Sequence, residues 1–175
     1  VAGAHGKTTT SAMASELLLR AGWDPTIIVG GVMVSSGTNA RAGRGVYLVA
    51  ETDESDGSFL HLLPEIAIIT NIDREHLNYY RHFDRLVEAF QQFVDQIKPH
   101  GTLIRCHDDP WVRRLLAHTA QLSYGLDPSA EVTIHEMLPN GYGSRFHAAY
   151  NGRSLGTFQL QLPGRHNAVN ALGII

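Results

Sequence analysis

The sequence predicts an α/β fold: a mostly parallel, doubly wound sheet with helices on both faces and a small antiparallel β layer added to it. Three observations predict it. Up to about residue 125, short apolar runs alternate with stretches of helical periodicity, the order that builds parallel sheets through right-handed crossovers. The apolar runs are continuous rather than alternating, which suggests strands covered on both faces. Beyond residue 125 the segments shorten, alternate only partly and are separated by Asn-Gly turn dipeptides.

The elements follow in order. Residues 8–21 fit a helix, with Met13, Leu17 and Ala21 sharing a face with Ala14 and Leu18. Gly22 stands where a helix C-cap belongs, and Glu16 with Arg20 adds an i,i+4 pair. Thr26-Ile27-Ile28-Val29 ends at Gly30-Gly31 and reads as a buried strand, as do Val46-Tyr47-Leu48-Val49 and Ile66-Ala67-Ile68-Ile69. A second helix spans about 84–97, with Leu86, Phe90, Phe93 and Ile97 as its stripe. Asp84 is its expected cap, and Pro99 and Gly101 end it. Residues 102–105 form the next strand. Asp109-Pro110 opens an expected third helix with Val112, Leu115 and Leu116 on its core side. Residues 131–135, 145–150 and 154–162 read as short strands, joined by turns at Asn140-Gly141 and Asn151-Gly152.

Composition excludes several classes. Hydrophobic residues make up 43% of the 175 and charged residues 18%, too apolar and too weakly charged for a disordered chain. The lone Cys106 excludes a disulfide scaffold and fits a reducing compartment. No apolar run approaches the roughly 20 residues of a membrane span. A net charge of −3 without a basic stripe points away from nucleic acid. The chain opens Val1-Ala2-Gly3 without a Met and stops in an apolar run at Gly173-Ile174-Ile175. It reads as a segment of a longer protein, trimmed at both edges.

Chemistry concentrates in four segments. Gly3-Ala4-His5-Gly6-Lys7-Thr8-Thr9-Thr10 is a Gly-rich turn running into a helix N-terminus, which presents backbone N–H groups and the helix dipole to an anion. In this P-loop pattern Lys7 neutralises β- and γ-phosphate charge and the Thr8 hydroxyl ligates Mg²⁺. The first Gly of the general pattern is Val1 in this chain, and a chance Gly-rich turn is the alternative. Glu51-Thr52-Asp53-Glu54-Ser55-Asp56 directly follows a strand, where groups of open α/β sheets meet ligands. Glu51 is placed to hold Mg²⁺; a solvated acidic turn is the alternative, and the reading adopted for Asp53 and Asp56. In Thr70-Asn71-Ile72-Asp73-Arg74-Glu75-His76, His76 is either a metal ligand or a surface residue. Pro163-Gly164-Arg165-His166-Asn167-Ala168-Val169-Asn170 offers Asn and His side chains to a nucleobase edge, or is a polar helix start.

Together the four segments resemble the Mur ligase family, ATP-dependent amide-bond-forming enzymes of peptidoglycan synthesis. The family loop G-T-[HN]-G-K-[ST] is met by Gly3-Ala4-His5-Gly6-Lys7-Thr8, with Ala in place of Thr, and it also lacks the first Gly of the general pattern. The run from Glu51 through Leu62 is similar to E-A-D-E-S-D-x-S-F-L-x-L of the family's alanine-adding branch. The T-N-I-x-x-x-H run ending at His76 and the G-R-H-N-A-x-N-A run from Gly164 match that branch too. The resemblance covers nearly the whole chain as the family's central ATP-binding domain. It implies ATP and Mg²⁺ as cofactors and a cytoplasmic enzyme that adds L-alanine to UDP-N-acetylmuramate through an acyl phosphate. It implies nucleotide contacts from Gly3, Ala4, His5, Gly6, Lys7, Thr8, Thr9, His166, Asn167 and Asn170. It also implies metal ligation by Thr8, Glu51 and His76, and a catalytic set of Lys7, Glu51 and His76. An N-terminal UDP-sugar domain and a C-terminal domain are implied outside this chain, so the segment alone is expected to be inactive.

Rival readings are another ligase of the superfamily, of the peptide-recycling or folylpolyglutamate type, and a non-catalytic nucleotide-binding module. A P-loop kinase or GTPase is a further rival; against the GTPase, no N-K-x-D run occurs in the chain.

Overall fold

The computed structural model describes residues 1–175. In chain order the elements are α1 (Lys7–Arg20), β1 (Thr26–Ile28), β2 (Ala40–Arg41), β3 (Leu48–Ala50), β4 (Ile66–Ile69), α2 (Leu77–Tyr80) and α3 (Phe83–Asp95). They continue with β5 (Thr102–Cys106), β6 (Ala120–Gly125), β7 (Val132–Asn140), β8 (Gly143–Tyr150), β9 (Arg153–Leu160) and α4 (Arg165–Leu172). Single 3₁₀ turns lie at Ser58–His61 and Val112–Arg114.

The strands form two sheets in the orders β2-β1-β3 and β4-β5-β6-β7-β8-β9. Val1 and Ala2 join them. Val1 bonds β3 through its amino group to Ala50 O (2.8 Å) and accepts from Thr52 N–H (3.0 Å). Ala2 donates to Ile68 O (2.9 Å) and accepts from Thr70 N–H (3.1 Å). β1 and β3 pair in parallel, as do β4, β5, β6 and β7 in turn; β2, β8 and β9 join antiparallel. The expected layer is thus the continuation of the main sheet through β8 and β9. Its second hairpin turns on Asn151 and Gly152, both at positive φ (46° and 77°), which suits the strand twist.

Alternation along β4 and β5 separates two cores. Ala67, Ile69 and Leu103 face Phe59, Leu86, Phe90, Phe93 and Val94, from α3 and the 3₁₀ turn after the acidic run. Ile68 and Cys106 face the opposite way, with Tyr124, Phe146, Ala168, Ala171 and Leu172. Helices therefore cover both faces, as expected of a doubly wound sheet.

Several local expectations are corrected. The side of α1 that is fully buried is Thr10, Ser11 and Ser15, while Leu17 is 50% exposed. Small hydroxyl residues let the helix lie close, and the two serine hydroxyls are satisfied within it: Ser15 Oγ donates to Ser11 O (2.7 Å) and Ser11 Oγ to Thr8 O (3.1 Å), while the buried Thr10 Oγ1 has no partner. The expected strand at 46–49 sits two residues later. Leu48 and Ile66 are each 56% exposed and face a groove of about 550 Å³ between β3 and β4, whereas Ala67, Ile68 and Ile69 are buried, so β4 is covered on both faces beyond its first residue. His82, not Asp84, is the N-cap of α3; Asp84 sits in the first turn, where it favours the helix dipole instead.

The third helix is a single turn. Asp109 Oδ1 does accept from the N–H of Trp111 (2.9 Å) and Val112 (2.8 Å), and Val112 and Leu115 are buried. The helix stops because other groups take its carbonyls: Arg105 Nη1 donates to Arg113 O (2.8 Å) and Leu115 O (2.6 Å). Gln91 holds both the N–H and the C=O of Leu116, which is 64% exposed rather than core. β6 has no counterpart among the expected strands, because Gln121 and Ser123 interrupt its apolar pattern. Ser123 is accommodated by Glu131 Oε2, which accepts from its N–H and hydroxyl at 2.8 and 2.9 Å.

Candidate active site

The four segments converge at the carboxyl ends of the parallel strands, where open α/β sheets bind ligands. Residues 3–9 leave the Val1–Ala2 step and enter α1. Gly3 has φ +136° and Gly6 φ +83°, backbone states that side chains oppose. At Gly3 a Cβ would also meet Thr70 Oγ1 at 2.2 Å. No side chain caps α1, and the N–H groups of Gly6, Lys7, Thr8 and Thr9 find no acceptor in the chain. Four adjacent donors at a helix N-terminus make an anion site.

The loop is held from β4. His5 N–H donates to Asn71 Oδ1 (2.7 Å), and Asn71 Nδ2 donates back to His5 O (2.9 Å). Thr70 Oγ1 donates to the same carbonyl (2.7 Å), and Ala4 N–H to Asn71 O (3.0 Å). The Asn71 amide thus pairs with the His5 peptide as a neighbouring strand would. The exposed His5 ring lies 3.3 Å from Asp73 Oδ2. The Arg74 N–H, and then His5, hold the Asp73 carboxyl below the usual range.

The acidic run splits its carboxylates between two partners. Glu51 accepts from Thr8 Oγ1 (2.7 Å) and from Gly30 N–H (2.5 Å). Glu54 lies against Lys7, whose Nζ also donates to Gly3 O (2.6 Å). Asp53 and Asp56 instead cap their own turns, accepting from the N–H of Ser55 and Ser58 at 2.9 Å each. The Ser55 N–H lowers the Asp53 carboxyl, and the Ser58 hydroxyl, then its N–H, lowers that of Asp56.

Thr8 and Glu51 are therefore in contact, as one cation would require, whereas His76 stands with a different pair. Its Nε2 is 3.6 Å from Glu54 Oε1 and 4.0 Å from Glu75 Oε2. One ligand atom from each of Glu54, Glu75 and His76 lies within 4.8 Å of the others, a spacing that one divalent ion spans. His76 is held at φ +56°, ψ +27°, a left-handed state uncommon for a residue with a side chain.

From α4, the Asn170 amide reaches the loop: a Cβ on Gly6 would meet its Nδ2 and Oδ1 at 2.9 Å. Asn167 is engaged with its own turn, donating to Pro163 O (2.7 Å), and His166 is exposed on the first turn of α4. Glu54, Thr70, Asn71 and Gly30 join the site without a role expected from the sequence. The first three lie inside the quoted runs, so the motif signal covered them; Gly30 joins only through folding of β1 beside β3.

The Mur ligase middle-domain family model matches residues 1–175. UDP-N-acetylmuramate–L-alanine ligase of Desulfatibacillum aliphaticivorans is 44% identical, matching 100% of this chain and 39% of its own. The enzyme of that name from Anaeromyxobacter sp. (strain Fw109-5) is 45% identical with the same coverage. The crystal structure of UDP-N-acetylmuramate-alanine ligase MurC from Thermotoga maritima superposes with a TM-score of 0.87 at 28% identity, over 98% of this chain and 38% of that one. The chain thus spans about two fifths of the length of the curated relatives it matches. With the family model matched from end to end and relatives of this identity, the chain belongs to the Mur ligase family, as its middle domain.

Proposed function

We propose that this domain binds Mg·ATP for an ATP-dependent ligase that joins L-alanine to UDP-N-acetylmuramate in cytoplasmic peptidoglycan synthesis. The observation that carries the nucleotide part is the phosphate loop: four N–H donors free of internal acceptors, beside the Lys7 ammonium, at the strand ends. Relatives bearing that enzyme name over the whole chain support the choice of substrates. The peptide-recycling alternative and a non-catalytic module have no comparable support.

The residues present fit a divalent cation. Glu51, Glu54, Asp53, Asp73 and Glu75 surround the loop and would repel a polyphosphate unless a cation lay between them. Thr8 and Glu51 would hold one ion, and His76, with Glu75 and Glu54 near it, a second. When bound, Mg²⁺ offsets charge on the phosphoryl oxygens.

The chain's own residues then act on an acyl-phosphate reaction, in which phosphorylation turns a poorly reactive carboxylate into an acylating agent for the amine. The N–H groups of residues 6–9 cradle the phosphates that stay with the nucleotide. Lys7 places its charge where the transferring phosphoryl carries negative charge. Asn170 stands against Gly6 of the loop, and the nucleoside side is assigned to His166 and Asn167 on the same helix. Sugar and amino-acid recognition are assigned to the flanking N- and C-terminal domains of the longer enzyme.

Phosphate release dependent on both L-alanine and UDP-N-acetylmuramate, assayed in the intact enzyme and in the 175-residue chain, tests this reading. Turnover is expected only in the intact enzyme; turnover there with a different amino acid but none with alanine rejects the substrate assignment. A narrower result is expected from Asn71→Ala, which removes both amide bonds to His5. Calorimetry should show ADP affinity reduced about tenfold, the scale of one or two lost hydrogen bonds in a preorganised loop. Asn71→Asp keeps the acceptor for His5 N–H but not the donor to its carbonyl, and should fall at least as far.

A further inference from the structure

Glu54 belongs to no role that the family resemblance assigned. It sits in an acidic run, yet the residue is only 1% exposed. Both carboxylate oxygens lie 3.0 Å from Lys7 Nζ. The same ammonium donates to Gly3 O at 2.6 Å, and Ala4 O lies further off at 3.4 Å. An ammonium has three N–H groups. Gly3 O and the two Glu54 oxygens supply three close acceptors for them.

The backbone that carries this carboxylate is fixed at Glu54. Its backbone carbonyl accepts from the Tyr80 hydroxyl at 2.5 Å and from Gly57 N–H at 3.3 Å. Burial, with the neighbouring Tyr79 and Glu54, pushes the Tyr80 hydroxyl up to about 12, so it keeps its proton and remains a donor. Phe59, five residues on, is packed between Phe90 and Phe93 and anchors the far end of the turn. Beyond Lys7, Glu54 Oε1 is 3.6 Å from His76 Nε2.

We propose that Glu54 is a positioning residue. Its buried carboxylate holds Lys7 Nζ against the loop, in place for a phosphate-bearing ligand. The proposal rests on the phosphate-loop reading above. A free lysine has a flexible four-carbon stem to order when phosphate arrives, whereas this one is ordered by the fold beforehand. An incoming phosphate takes over one Glu54 contact, and the other keeps the ammonium in place.

The chain has only two lysines, Lys7 and Lys98, which makes the test direct. With ¹³C at lysine Cε, NMR relaxation reads two side chains. Lys98 is 52% exposed and paired only with the exposed Glu65, so it serves as the mobile reference. Lys7 is expected to be ordered in the wild type. In Glu54→Gln it should become as mobile as Lys98, with ADP affinity lowered about tenfold and the remaining fold unchanged by amide chemical shifts. Glu54→Asp keeps the charge at shorter reach and should fall between; it carries the comparison if the glutamine variant does not fold.

Lys7→Ala, measured alongside, separates the two failures. If Lys7→Ala binds ADP as the wild type does, the phosphate-loop reading fails and this proposal with it. If Lys7→Ala loses ADP while the Glu54 variants keep an ordered Lys7 and wild-type affinity, the reading stands and the positioning role is overturned. Tighter ADP binding in Glu54→Gln also overturns it, since Glu54 would then compete with phosphate for Lys7.

Discussion

Lys7→Ala is expected to weaken ADP or ATP binding at least about 100-fold, some 2.7 kcal/mol. The substitution removes the cation nearest the free N–H donors of residues 6–9, and a hydrogen bond to a charged group is worth about 1.5–3 kcal/mol. Lys7 is 16% exposed, so solvent screens this charge weakly. The same change strands Glu54, whose side chain is 2% exposed, without its counter-ion. Removing one partner of a buried pair costs roughly 3–5 kcal/mol, so the melting temperature should fall as well. The two effects are separable. In Lys7→Ala/Glu54→Gln the stranded charge is gone, and stability should recover while nucleotide affinity does not. Calorimetric titration with ADP, beside thermal melts of both variants, checks the pair of outcomes. Wild-type affinity in the folded single variant would remove the phosphate-loop assignment.

The sequence was most legible where a local pattern and the final packing agree. The α3 stripe is a case: Leu86, Phe90 and Phe93, with Ile97 just past the helix end, are all buried, because one side of that helix meets one face of the sheet. The strand at Ile66–Ile69 was legible for the same reason. Legibility failed where polar groups decide the packing. α1 buries Thr10, Ser11 and Ser15 rather than Leu17, and β6 carries Ser123 into the sheet on the strength of Glu131. Neither partner is near in the hydrophobic pattern. The short turn after Asp109 shows a third cause: its cap was legible, but its end depends on Arg105 and Gln91, side chains from other elements.

At the site, motif spacing brought the right segments to one place but did not divide labour within them. Glu51 and Glu54 are three residues apart in one acidic run. The turn between them sends one to Thr8 and the other to Lys7, and no property of the run itself distinguishes the two. Asn71 is similar: it stands beside the strand end in the sequence, yet its partner is His5, 66 residues away.

A stability loss of the same size, about 3–5 kcal/mol, is expected far from any charge in Phe90→Ala. Phe90 is 1% exposed at the centre of the core between α3 and β4. Its ring centroid is 5.3 Å from that of Phe59, at a 60° tilt. Neighbours in a sheet-backed core cannot collapse into the vacated space, so the cavity term adds to the lost burial. For a chain of this length each kcal/mol moves the melting temperature by roughly 2–4 °C, so a fall on the order of 10 °C should follow. Leu17→Ala, at a position the helical pattern also marked as core, should change stability by under about 1 kcal/mol because Leu17 is already half exposed. Urea denaturation of the two variants checks the contrast, and equal losses would show that the α1 and α3 faces are packed alike. The Phe90 variant should also reach the site. Phe59 lies in the turn at Ser58–His61 that follows Glu54, so a loosened Phe59 leaves that turn less firmly seated. Lys7 should then lose order by NMR in Phe90→Ala even at temperatures where the chain remains folded, and keep it in Leu17→Ala.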